Sequence, residues 1–226
     1  MGRLEKPSSH QLFSEDCLRL SQQDSRFKLI RRSEGPFLRG VIKILDQERC
    51  LEQFEVEIHF KEGYPFVFPK LFEISGKIPR LIDWHIFANQ DNSCCLTVPI
   101  QERIYCADGM PLETFIRTHA TYYLYNQTHR MLFGFYADKE YSHAIDGPWE
   151  FYYEFFGTQD KTVILECMRR LAGHQLGKSS LCYCGRKARM RRCHPDVYRL
   201  FKKLDPTFLR NQLKMLVATQ NQEKMS

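Results

Sequence analysis

The sequence has few of the features that mark fibrous, membrane-spanning or disulfide-stapled proteins. Its 226 residues contain only 12 glycines and 10 prolines, which excludes collagen-like and low-complexity chains. Its apolar runs are a few residues long, far below the ~20 that a membrane helix needs, so no membrane partner is expected. The 9 cysteines are an odd number and several stand alone, which disfavours a secreted disulfide framework. The amino-terminal residues have no signal-peptide core, and a cytoplasmic location is expected.

The charge is divided unevenly along the chain. Residues 161–226 hold 15 Lys/Arg against 4 Asp/Glu, a net charge of +11, whereas residues 1–160 hold 18 against 23, a net charge of −5. Such asymmetry indicates a second module with its own partner. We predict a domain over 1–175 and a smaller one over 176–226, with a Gly/Ser-containing linker at 173–180.

The hydrophobic pattern predicts an α+β fold. Residues 8–21 have the spacing of an amphipathic helix. Four segments with strand character follow, joined by short polar links: 27–29, 38–45, 54–60 and 69–74. Short links favour an antiparallel four-stranded meander, because parallel pairs need long crossovers. The buried face of that sheet requires a cover, which the flanking helices are expected to supply.

The next part of the chain is helical and rich in aromatic residues. Residues 115–156 hold 14 of the 30 aromatic side chains. Such stripes usually form a core layer, and an exposed aromatic face for a partner is the alternative. A further short helix is predicted over 161–171.

A cluster of metal-ligating residues lies in the basic module: Cys182, Cys184, Cys193 and His194. Three thiols and one imidazole form the ligand set of a closed tetrahedral structural zinc site. Gly185 permits the tight turn that presents the first two sulfurs. Four ligands leave no open coordination position, so the expected cofactor is structural Zn²⁺ and not a catalytic metal.

This stretch resembles the SEC-C zinc motif, in which Cys-x-Cys is followed, after eight intervening residues, by Cys and then Cys or His. The sequence departs from the common form at Tyr183, where that family has proline, and at Arg186 and Lys187, where it has serine and glycine. The resemblance implies a small zinc-knuckle appendage that serves protein contacts.

A second cysteine site follows the strand region. Cys94 and Cys95 lie in a polar, turn-rich segment, where a thiol can be exposed and nucleophilic. The segment 64–70 (Tyr-Pro-Phe-Val-Phe-Pro-Lys), then His85, then 92–96 (Asn-Ser-Cys-Cys-Leu) resembles the core of ubiquitin-conjugating enzymes. The segment Trp-Glu-Phe-Tyr-Tyr-Glu-Phe-Phe-Gly near residue 150 is similar to the ending of prokaryotic relatives. The resemblance implies a ubiquitin-conjugating (UBC-like) fold with Cys95 as the thioester-forming residue.

The same resemblance implies a function and a partner. Cys95 would carry the C-terminus of a modifier or partner protein and transfer it to an amine. The prokaryotic relatives occur in antiphage (CBASS-like) operons, so a cyclic-nucleotide synthase of the same operon is an expected partner. The family's His-Pro-Asn segment is incomplete here: His85 has either a catalytic or an anchoring role, and either Asn92 or Asn89 supports the oxyanion.

Two other functions stay open at this point. One is a catalytically inert UBC-like module that docks a partner through its aromatic surface, because one fold hosts several functions. The other is nucleic-acid binding by the basic zinc tail. Nucleic acid is not the expected partner, because Tyr198 and Phe201 have the spacing of a helix packing face.

Overall fold

The computed structural model describes residues 7–138, 140–142, 146–173, 177 and 179–225. The chain divides into two compact units, the first ending at Glu140 but excluding Val98–Ala107, and the second comprising Val98–Ala107 and the chain from Tyr141 onward. The predicted linker at 173–180 and the predicted boundary at 175/176 fall partly outside the described residues.

The first unit opens with a helix and a four-stranded sheet. Helix α1 (Ser9–Gln23) begins at a capping box, in which the Ser8 hydroxyl accepts from the Gln11 backbone and the Gln11 side chain accepts from Ser8. The strands that follow are β1 (Phe27–Arg32), β2 (Gly35–Asp46), β3 (Arg49–His59) and β4 (Lys70–Glu73). They pair in chain order and all antiparallel, which confirms the predicted α+β class and the meander.

The sheet buries one face. Along β2 and β3 the buried positions alternate with exposed ones, and the register pairs them, for example Ile42 with Phe54 and Leu38 with Ile58. The intervening positions, such as Arg39 and Glu55, face solvent and form ion pairs. This alternation is the strand pattern in the sequence, since successive side chains point to opposite faces.

Helical segments complete the first unit. After a short 3₁₀ turn (Ile82–Trp84), helix α3 (Leu112–Thr114) continues through a π-helical segment (Phe115–Ala120) into α4 (Thr121–Phe133). Helices α1 and α4 both contact β2, as expected for the cover of a one-sided sheet.

The second unit is helical. Its elements are α2 (Pro99–Tyr105), α5 (Asp146–Phe156), α6 (Lys161–Ala172), α7 (Met190–Cys193), α8 (Pro195–Phe201) and α9 (Pro206–Met225). The core includes Trp149, whose indole N–H donates to the Thr219 hydroxyl at 3.0 Å, and Phe156, which packs against Phe201. Among the described residues, none of these helices has both the length and the apolar character needed to cross a bilayer.

The two units divide the chain differently from the predicted ranges 1–175 and 176–226. Helix α5 shares its core with the carboxy-terminal helices, and the second unit therefore includes the chain from Tyr141 onward in addition to Val98–Ala107. The aromatic side chains of residues 115–156 are partly buried in a core and partly exposed. The α5 side chains Trp149 and Tyr152 are buried, whereas Phe133 and Phe135 at the end of α4 are 62% and 63% exposed.

Gly40 marks the tightest approach within the sheet, and it gives a stability prediction. A Cβ atom at Gly40 would overlap the buried ring of Phe27 and lie 2.7 Å from the backbone oxygen of Arg26. We expect Gly40→Ala to lower the free energy of unfolding by about 1–3 kcal/mol, because overpacking forces the neighbours to move. The exposed Lys43→Ala on the same strand should change it by less than about 0.5 kcal/mol. Urea denaturation measures both, and equal midpoints would contradict the close packing.

Candidate functional site

The four predicted metal ligands come together in the second unit. Cys182 lies on a short antiparallel ribbon, in which its N–H donates to the Ala188 carbonyl at 2.8 Å. Cys184 precedes Gly185, whose φ of +77° turns the chain back. Cys193 ends α7, and His194 follows it directly.

The geometry of this group fits a metal ion. The three sulfurs and one ring nitrogen of His194 all lie within 4.8 Å of one another. Cys182 Sγ lies 3.0 Å from His194 Nδ1, and Cys184 Sγ lies 3.4 Å from Cys193 Sγ. A tetrahedral ion with metal–sulfur bonds of about 2.3 Å needs ligand atoms about 3.5–4 Å apart, so small side-chain shifts suffice. The group could therefore hold a metal ion.

The surroundings of the cluster support ligation. Burial raises the pKa of the Cys184 thiol, but hydrogen bonds from the Arg186 backbone and the neighbouring cysteines outweigh it and lower that pKa to about 7. Tyr183, which replaces the proline of the SEC-C pattern, packs its ring against Phe156 at 5.2 Å and donates to the Phe156 carbonyl at 3.0 Å. This departure from the pattern therefore supplies packing within the second unit.

The thiol site is a hairpin in the first unit. Cys95 N–H donates to the His85 carbonyl at 2.7 Å and Phe87 N–H donates to the Ser93 carbonyl at 2.9 Å, with Ile86 bridged to Cys94 between them. Cys95 therefore lies across the hairpin from His85 and is joined to it by this one backbone hydrogen bond, while the His85 N–H donates to the Ile82 carbonyl at 2.8 Å.

The two adjacent cysteines have different environments. Cys94 is 5% exposed, and its N–H donates to the Leu71 carbonyl at 2.7 Å, which ties the hairpin to β4. Burial raises the pKa of the Cys94 thiol to about 12. Cys95 is partly exposed. Of the two cysteines, the predicted nucleophile is therefore the residue that is partly exposed.

The predicted asparagines lie toward the turn of this hairpin. Asn92 is exposed with a φ of +61°, and its N–H donates to the Phe87 carbonyl at 3.1 Å. Asn89 is an exposed turn residue. Beside them, Asp91 accepts hydrogen bonds from Lys70 at 2.6 Å and from the Ser93 hydroxyl at 2.6 Å. These contacts stabilise the turn. The residue across the hairpin from Cys95 is His85 and neither of the two asparagines.

Helix α4 holds the other arm of the hairpin through its polar side chains. The Tyr123 hydroxyl donates to the Trp84 and His85 carbonyls, both at 3.2 Å, and Gln127 Nε2 donates to the Trp84 carbonyl at 3.2 Å. Arg130 donates to the Asp83 carbonyl and stacks its guanidinium 4.2 Å from the centre of the Trp84 ring. We call this set of contacts to residues 83–85 the α4 clamp.

A carboxylate that the sequence did not point to completes the site. Glu140 Oε2 lies 3.2 Å from His85 Nε2, and Glu140 Oε1 accepts from Asn126 Nδ2 at 2.9 Å. His85 is 7% exposed and Asn126 is 1% exposed. In the sequence, Asn126 is simply a polar residue of a predicted helix and Glu140 an acidic residue of a loop. Neither belongs to a motif of diagnostic spacing.

Comparison of the chain with protein-family models, with curated proteins and with solved structures found no match.

The hairpin predicts a difference in reactivity between neighbouring cysteines. With iodoacetamide at pH 7–8, Cys95 should be alkylated in the native protein while Cys94 stays unmodified, because a buried thiol with a pKa of about 12 remains protonated. Peptide mass spectrometry after brief exposure measures both sites, and full labelling in denaturant provides the control. Equal rates at the two cysteines would contradict the described environments.

Proposed function

We propose that this chain is a cysteine-dependent acyl carrier of the ubiquitin-conjugating type, with Cys95 as its nucleophile and the first unit as a UBC-like domain. The observation that carries the proposal is the placement of Cys95: a partly exposed cysteine on a hairpin that is hydrogen-bonded to His85 and, through Cys94, to β4. A fixed backbone at a partly exposed cysteine lets an acyl donor approach in one orientation. The motifs around residues 64–70 and 92–96 supply the resemblance to that enzyme class.

The reaction consists of two acyl transfers. The Cys95 thiolate attacks the carbonyl carbon of an activated protein C-terminus, either an acyl adenylate or a thioester. An S–C bond forms, and the donor's leaving group departs with its electron pair. An amine then attacks the thioester carbonyl, the S–C bond breaks to regenerate the thiolate, and the amine proton passes to solvent. Backbone N–H groups of the hairpin or the amide of Asn92 are the candidate donors to the oxyanion.

The proposed partner is a protein with a reactive C-terminus, such as a cyclic-nucleotide synthase encoded beside this chain in an antiphage operon.

The substitution Cys95→Ser should trap the acyl intermediate, since a serine ester is more stable than a thioester. Co-expressed with its genomic neighbours, wild-type protein should form an adduct that dithiothreitol removes. Cys95→Ser should form one that resists dithiothreitol but is cleaved by alkali.

Two variants serve as matched controls for this trap, and nonreducing gels with intact-mass spectrometry provide the measurement. Cys95→Ala should form no adduct, whereas Cys94→Ala, at the neighbouring buried sulfur, should retain the wild-type adduct. An adduct that survives Cys95→Ala would reject the thiol assignment.

An inert docking module is the second candidate function. The exposed apolar side chains at the end of α4 favour it, since Leu132, Phe133 and Phe135 are 57%, 62% and 63% exposed. If partner binding and biological function both survive Cys95→Ala, the docking function replaces acyl transfer.

For the metal cluster, we propose one structural Zn²⁺ held by the set Cys182, Cys184, Cys193 and His194. Three cysteines and one histidine match the preference of zinc for sulfur and nitrogen ligands. Once bound, the ion would cross-link the ribbon to the end of α7, so its role is folding of the second unit.

The zinc proposal predicts metal content. Protein purified without chelators should contain one zinc per chain by elemental mass spectrometry, and Cys184→Ser should lose it with a lower thermal midpoint. Cys50→Ser, at an exposed cysteine of β3, is the matched control and should keep both zinc and midpoint. Zinc retained in Cys184→Ser, or absent from the wild type, would refute the assignment.

A further inference from the structure

Separate contacts hold the backbone of His85 and its imidazole ring. Its backbone has φ +51° and ψ +44°, a left-handed conformation that is uncommon outside glycine. Its carbonyl accepts from Cys95 N–H on one side and from the Tyr123 hydroxyl on the other. Its ring centre lies 5.4 Å from that of Tyr136. An unusual backbone conformation held by this many partners is typical of a functional position.

Glu140 determines which nitrogen of that ring carries a proton. A carboxylate 3.2 Å from Nε2 favours hydrogen on Nε2, and in the neutral ring this puts the lone pair on Nδ1. Asn126 fixes the carboxylate in turn, because its amide donates to the other oxygen at 2.9 Å. A nucleophile, an imidazole and an orienting carboxylate are the groups by which cysteine and serine enzymes activate a weak nucleophile. Here the carboxylate contacts the imidazole, and the backbone of the cysteine is hydrogen-bonded to the same histidine.

The buried amides on α4 show that this arrangement has a cost in stability. Asn126 and Gln127 are each 1% exposed, and both direct their N–H groups toward the His85 segment or its carboxylate. Their side-chain oxygens have no hydrogen-bond partner among the residues that the structure describes. Each such buried oxygen costs about 1–3 kcal/mol. Apolar residues at these two positions would avoid that cost, so orientation of His85 is the property that the amides provide.

We propose that Glu140 is a positioning residue for the Cys95 nucleophile, orienting the His85 imidazole so that the ring accepts the thiol proton. This inference rests on the proposed function, in which Cys95 is the attacking group. The proton leaves Sγ for Nδ1, the sulfur keeps the electron pair, and the Glu140 carboxylate stabilises the resulting imidazolium. Among the described residues, the titratable groups near His85 and Glu140 include Tyr122, Tyr123, Tyr136, Asp138 and Cys94, and Arg130 lies over the Tyr136 ring.

The test is the rate of Cys95 alkylation by iodoacetamide between pH 6 and 9, read by peptide mass spectrometry. In that reaction the S–C bond forms as iodide leaves, and no protein partner is needed. We expect Glu140→Gln to lower the rate constant at pH 7 about 10-fold, the scale of an orienting contact, and to move the half-maximal rate to higher pH. Glu140→Asp should recover part of the rate. The matched control is Asp138→Asn, which removes the same charge from an exposed carboxylate two residues before Glu140. Its alkylation rate constant should stay within about twofold of the wild-type value.

Nitrogen-15 shifts of the His85 ring provide a readout that loss of packing alone would not change in the same way. Wild-type protein should show hydrogen on Nε2, and Glu140→Gln should alter that tautomer balance at an unchanged thermal midpoint. Unchanged ring shifts together with an unchanged alkylation profile would overturn the proposal. If instead the Cys95→Ser trap yields no ester while Glu140→Gln still slows alkylation, acyl transfer fails and the positioning role stands. If Glu140→Gln forms the adduct at the wild-type rate, acyl transfer stands and the positioning role fails.

Discussion

The α4 clamp on residues 83–85 is the contact on which the candidate active site depends. Tyr123, Gln127 and Arg130 occupy successive turns of one helix and direct their donors at three consecutive backbone carbonyls. Because those carbonyls lie at the start of the hairpin, the helix fixes the position of His85. The hydrogen bond from the Cys95 N–H to the His85 carbonyl then fixes the backbone of Cys95. Helix α4 therefore positions Cys95 indirectly, through the backbone of residues 83–85. A rigid helix holds such geometry better than the hairpin alone, since an isolated two-stranded hairpin is marginally stable.

The metal cluster uses the same construction on a smaller scale. A short ribbon carries Cys182, the end of α7 supplies Cys193, and the aromatic core of the second unit packs underneath through Tyr183. The difference lies in what closes the site. In the thiol hairpin, side-chain donors to backbone carbonyls hold the arms, whereas at the ligand cluster a metal ion would join them. The first arrangement leaves a cysteine partly exposed, whereas in the second a bound metal would commit the sulfurs to folding, because a thiolate bound to a closed metal site has no role in acyl transfer.

The sequence predicted the parts of this protein that depend on local or periodic signals. The β2 and β3 strands alternate buried and exposed residues, so both their existence and their core face follow from the period of two. The metal ligands lie within 13 residues, and their side-chain chemistry alone selects the group. The sequence predicted a second, smaller module at 176–226 from charge and composition, whereas the compact second unit also takes in α5, because it comprises Val98–Ala107 and the chain from Tyr141. Burial of an aromatic helix against particular partners has no signature in composition.

The orienting carboxylate was beyond sequence reasoning for a related reason. Trp84 and Gln127 are 43 positions apart, and the Asn126–Glu140 contact spans a further 14, so no motif of fixed spacing contains the site. One signal was nevertheless present in the helix. Asn126, Gln127 and Thr128 are consecutive polar residues, all buried, in a stretch that amphipathic spacing would place partly against the sheet. Polar side chains are buried at a cost unless they are hydrogen-bonded, so a polar run on a core-facing helix points to a partner elsewhere in the chain. Here that partner is the backbone and carboxylate around His85, toward which Asn126 and Gln127 direct their amide N–H groups.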